Sequence, residues 1–83
     1  MILLHFTAEW CGPCKAMKPV IENYVSNNSD VDYKMVDIDQ DQETPGTYNV
    51  MAVPTFIILN DNEELRRQTG AMPKQAFQEF MAG

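Results

Sequence analysis

An 83-residue chain leaves room for one domain, residues 1–83, and its ordinary apolar share excludes disorder, collagen and coiled coil. Twelve acids against six bases give a net charge of −6, which repels phosphate backbones and excludes nucleic acid as a ligand. The longest apolar runs, Ile2–Leu4 and Phe56–Leu59, fall far short of the ~20 residues a membrane helix needs; with no basic leader or cleavage site at the amino terminus, a cytoplasmic protein is expected.

Ile2 to Thr7 is a short, nearly unbroken apolar run with aromatic and β-preferring residues, which predicts a strand covered on both faces and central in a sheet. From Gly12 to about Asn27 the spacing turns helical, with Met17, Val20, Ile21 and Tyr24 on one face. Pro13 suits the first helical turn, where its missing N–H is not needed, whereas Pro19 lies inside and predicts a kink. Asn27-Asn28-Ser29-Asp30 supplies turn residues before a second strand over Val31–Asp39, and the strand–helix–strand order implies parallel pairing.

A short or irregular helix is expected between Gln40 and Val50, where the residues are polar and Pro45-Gly46 interrupts them. Thr55–Leu59 reads as a buried strand, Asn60-Asp61-Asn62 as a turn and Glu63–Thr69 as a more polar strand, together a hairpin with its second strand at the sheet edge. After Gly70, Pro73 opens a last amphipathic helix with Ala76, Phe77, Phe80 and Met81 on one face. The order βαβ then ββα specifies an α/β fold with a four-stranded mixed sheet flanked by helices. Asp30, Asp32, Asp37, Asp39, Asp41 and Glu43 form an acidic stretch opposed only by Lys34; it reads as a solvated edge, with a docking surface for a basic partner as the competing reading. No site is assigned to it.

The two cysteines stand in Cys11-Gly12-Pro13-Cys14, after the first strand and at the start of the first helix. Helix starts present unpaired N–H groups and the positive end of the dipole, which favour a thiolate and lower a thiol pKa from its usual ~8.5. The spacing lets the second sulfur reach the first across one turn, so a mixed disulfide formed at one is expelled by the other. Two cysteines and one histidine cannot close a four-ligand zinc site alone, so no metal is expected. A structural disulfide spanning so short a loop would constrain the unfolded chain little.

The segment Ala8-Glu9-Trp10-Cys11-Gly12-Pro13-Cys14-Lys15 resembles the active-site signature of thioredoxins. Pro19 is similar to that family's helix-kinking proline, Val53-Pro54-Thr55 to its cis-proline loop and Thr69-Gly70-Ala71 to its substrate-groove glycine segment. The resemblance implies a minimal, glutaredoxin-sized thioredoxin fold without the family's usual first strand and helix. It also implies Cys11 as nucleophile, its sulfur accessible, and Cys14 as the more shielded resolving thiol. Trp10, Gly12, Pro13, Val53, Pro54 and Gly70 would bind substrate: Trp10 as a wall, Gly12 by permitting close approach and the backbone of Val53 by pairing with an extended chain.

His5 departs from the family, which usually carries a buried aspartate there that exchanges a proton with the resolving thiol. A buried neutral histidine suits the same acid–base work, and equally reads as a core residue. Thr7 stands where a second tryptophan is common and Met35 where many members have a lysine, while the six methionines read as packing residues. The implied activity is reduction of protein disulfides, with no bound cofactor, electrons from an external thioredoxin reductase, and a monomeric state. A glutaredoxin-like protein reduced by glutathione and a non-catalytic binding subunit of the same fold are the alternatives.

Overall fold

The computed structural model describes residues 1–83. Its elements are β1 (Ile2–Thr7), α1 (Gly12–Ser26), β2 (Asp32–Asp37), α2 (Glu43–Thr47), β3 (Thr55–Asn60), β4 (Glu63–Thr69) and α3 (Lys74–Ala82). The sheet order is β2-β1-β3-β4. β1 runs parallel to β2, from Ile2 opposite Asp32 to Thr7 opposite Asp37, and antiparallel to β3, from Ile2 opposite Leu59 to Phe6 opposite Thr55. β4 pairs antiparallel with β3 at the far edge. The central strands β1 and β3 are the apolar ones because both of their faces are covered.

Alternation of side chains along these strands divides the core into two layers. Leu3, Phe56 and Ile58 face Met17 and Ile21 of α1 and Phe77 and Met81 of α3. Phe77 meets Phe56 and Tyr24 edge-on, at ring separations of 5.9 and 5.7 Å, a geometry in which the positive ring edge meets the negative face. Leu4, Phe6, Ile57 and Leu59 form the opposite layer, against Ile2, Val36, Ile38, Tyr48 and Val50.

The helix ends explain several boundaries. α1 continues through Pro19, whose exposed position leaves the Lys15 carbonyl to solvent, and it stops where the Asn27 and Asn28 side-chain amides donate to the carbonyls of Asn23 and Tyr24. β2 is shorter than the sequence suggests. It begins after a turn in which Val31 N–H donates to Asn28 O, and ends where the Asp37 carboxylate accepts the Asp39 N–H at 2.9 Å, bending the chain. α2 forms because the Asp41 carboxylate accepts the N–H groups of Glu43 and Thr44 and the Thr44 hydroxyl. Those bonds hold the Asp41 carboxyl below its usual pKa. The β3–β4 turn is two residues, Asp61 and Asn62, both with positive φ, as a tight hairpin turn requires.

Candidate functional site

The carboxyl end of β1 leads through Ala8, Glu9 and Trp10 into α1, and Cys11 is the helix N-cap. Cys11 and Cys14 are joined as a disulfide, with Cα atoms 5.3 Å apart. The Cys14 backbone N–H, one of the donors that a helix start leaves without an intrahelical partner, points at Cys11 Sγ with a separation of 3.2 Å. After reduction, a thiolate at Cys11 receives that N–H and the positive end of α1, whereas Cys14 lies inside the first turn. The expected contrast in accessibility is small in this oxidised state: Cys11 is 4% exposed and Cys14 fully buried. Access is over Gly12 and Pro13, which are exposed, and a side chain at Gly12 would meet nothing within 4 Å.

Three segments surround the disulfide. Trp10 stands 68% exposed beside it, its indole Nε1–H donating to Asp39 Oδ2 at 2.9 Å. Val53 packs against the cluster of Ala8, Cys11 and Cys14, and the Val53–Pro54 peptide bond is cis. The Thr55 hydroxyl donates to Ala52 O at 2.6 Å, closing this loop at the start of β3. Gly70 N–H donates to Pro54 O at 2.8 Å, and the φ of +102° at Gly70 is one that side-chain-bearing residues rarely adopt. Trp10, Gly12, Pro13, Val53, Pro54 and Gly70 therefore belong to the disulfide and the linked segments around it.

His5 is fully buried on β1, its ring stacked on Phe56 with centroids 4.7 Å apart. Its Nδ1 shares a 3.0 Å hydrogen bond with the Tyr33 hydroxyl, and Nε2 has no partner. Burial lowers its pKa to about 4, with Lys18 adding to the effect. The ring is neutral at neutral pH, but it makes no hydrogen bond to either cysteine. Tyr33 is pushed up to about 12 by burial and then by Glu22. Thr7 and Met35 line one groove of about 630 Å³ beside α1, with Glu9, Lys15, Lys18 and Asp41 around it. No group of three or more His, Cys, Asp or Glu side chains is arranged to hold a metal ion.

In the sequence Asp39 is one acid in an acidic stretch; its bond to Trp10 spans 29 positions and has no local signal. Tyr33 is likewise unmarked as the partner of His5. Only the topology, which lays β2 beside β1, brings these pairs together.

The thioredoxin family profile matches residues 1–83. The chain is 40% identical over 82 residues to thioredoxin from Bacillus subtilis, covering 98% of this chain and 79% of that protein. The crystal structure of Fasciola hepatica thioredoxin superposes with a TM-score of 0.91 at 34% identity, covering 98% of this chain and 77% of that one. The germline-specific thioredoxin Deadhead of Drosophila melanogaster also gives 0.91, at 33% identity and with the same shares. A disulfide-bonded cysteine pair at a helix start, in a fold and sequence shared with these proteins, places the chain in the thioredoxin family, as a dithiol–disulfide oxidoreductase acting on protein disulfides.

Proposed function

We propose that residues 1–83 act as one domain in which Cys11 is the nucleophile and Cys14 the resolving thiol. The Cys11 thiolate attacks one sulfur of a substrate disulfide, forming a mixed disulfide and releasing the other sulfur as a thiolate. The Cys14 thiolate then attacks Cys11 Sγ, expels the second substrate thiolate and leaves the Cys11–Cys14 disulfide. Two electrons pass from the dithiol to the substrate. An external dithiol reductase returns them, in a reducing compartment such as the cytoplasm. The observation that carries the order of the thiols is the Cys14 N–H aimed at Cys11 Sγ.

An extended substrate lies across the exposed Gly12–Pro13 turn, between Trp10 on one side and Val53, Pro54 and Gly70 on the other. Its backbone pairs with Val53, so tolerance of different substrate side chains follows. The domain works as a monomer and needs no bound cofactor. His5 serves the core rather than proton transfer: Tyr33 occupies its Nδ1, and neither ring nitrogen bonds a cysteine.

Trapping tests the order of the thiols. Cys14→Ser, reduced and mixed with insulin, accumulates a mixed disulfide through Cys11, while Cys11→Ser accumulates none. A mixed disulfide forming mainly in Cys11→Ser would reverse the assignment.

A further inference from the structure

The backbone N–H of Met72 is buried and no carbonyl accepts it; its acceptor is the Met17 thioether, with N···Sδ 3.3 Å. Buried backbone donors are seldom left unpaired, and a thioether is a weak acceptor used where nothing better is in reach. Met17 is three residues after Cys14 on the buried face of α1. The bond therefore runs from the cysteine helix to the segment joining β4 and α3. At its other end the same segment is fixed by Gly70 N–H donating to Pro54 O. Pro73, next in sequence to Met72, has no N–H to offer.

A closed path of contacts follows: from Cys14 along α1 to Met17, across to Met72, back to Gly70, over to Pro54 and through Val53 to the cysteines. We propose that Met17 is a positioning residue whose sulfur, by holding the Met72 amide, fixes the Gly70 side of the groove against the cysteine helix and sets affinity for extended protein disulfides. This rests on the reading that Trp10, Val53 and Gly70 line the substrate groove. A leucine at position 17 fills the core nearly as well but leaves the Met72 N–H unpaired. Residues 70–72 then move to positions where water reaches that N–H. A protein chain that binds along this backbone loses its frame; a small disulfide, which needs only the cysteines, does not.

The test uses Met17→Leu together with a full chain carrying norleucine at position 17, assembled by ligation at Cys11, which replaces only the sulfur by a methylene and so keeps the core filled. Hydrogen exchange at the Met72 amide, kcat and KM for insulin, and the reduction rate of dipyridyl disulfide are measured for each. In both chains the Met72 amide exchanges about 10-fold faster while Phe56–Ile58 do not change, and KM for insulin rises about 5-fold. The kcat and the dipyridyl disulfide rate stay at wild-type values. Unchanged exchange at Met72, an unchanged KM for insulin, or an equal loss with both substrates would each overturn the proposal. Trp10→Ala separates it from the groove reading: it raises KM for insulin without altering Met72 exchange. If Trp10→Ala leaves that KM unchanged, the groove reading fails by itself, and the role of Met17 in substrate affinity falls with it.

Discussion

Trp10 is pinned by Asp39: the indole N–H donates to a carboxylate oxygen 2.9 Å away, although the ring itself is 68% exposed. An exposed aromatic ring otherwise samples several rotamers, and the single bond limits this one to those that reach Asp39. Asp39→Ala therefore lowers the fluorescence anisotropy of the only tryptophan and raises KM for a protein disulfide about 3-fold. Asp39→Asn keeps an acceptor and stays within about 2-fold of wild type. Equal anisotropy in wild type and Asp39→Ala would show that the bond does not restrain the ring.

His5 makes the fold sensitive to acid. The folded chain protonates it at about 4, below the ordinary value of 6.5. Between those values the unfolded chain binds a proton that the folded one refuses, so stability falls as pH drops through this window and is undiminished above it. The groups around the ring are Lys18 from α1, Tyr33 from β2 and Phe56 from β3. Lys18 opposes protonation, and neither Tyr33 nor Phe56 supplies a charge that would offset it. The full effect is about 3 kcal/mol. His5→Phe preserves the stack on Phe56 and removes the proton, so its denaturation midpoints lose less between pH 6.5 and pH 4 than those of wild type. Parallel pH profiles would contradict this.

Arg66 supplies the cation that α3 lacks in its own last turn. From β4 its Nε donates to Phe80 O at 2.9 Å and Nη2 to Met81 O at 3.2 Å, satisfying carbonyls that a helix end leaves free. Arg66→Ala costs about 1.5 kcal/mol, a fall in Tm of roughly 6 to 12 °C for a domain of this size. Lysine at this position recovers less than half, because it cannot fork onto two carbonyls. A thermal melt of the three chains decides it, and an unchanged Tm in Arg66→Ala would contradict the capping role.

The features legible in the sequence are those with local causes. The apolar run of β1, the one-sided faces of α1 and α3 and the turn before β4 each follow from spacing and turn chemistry, and the structure has them at nearly the same boundaries. The cysteine pair is legible because a helix start favours a thiolate whatever surrounds it. β2 is overextended in the sequence reading because Val36 and Ile38 suit a strand in composition, while the Asp37 side chain ends the strand by capturing the Asp39 N–H. Asp39 on Trp10, Tyr33 on His5 and Met17 on Met72 are pairings between distant segments. No periodicity within either segment encodes them. They exist because the topology lays β2 beside β1 and brings α1 and the segment after β4 into one core cluster.

In a dithiol–disulfide oxidoreductase Cys11 and Cys14 act as a reversible two-electron couple. Titration against reduced and oxidised dithiothreitol, followed through Trp10 fluorescence, tests it directly. The expected result is a single reversible transition that fits two electrons, with a midpoint near the ~−270 mV of a thioredoxin-type reductant. No reversible transition, or one that persists in Cys14→Ser, would contradict it.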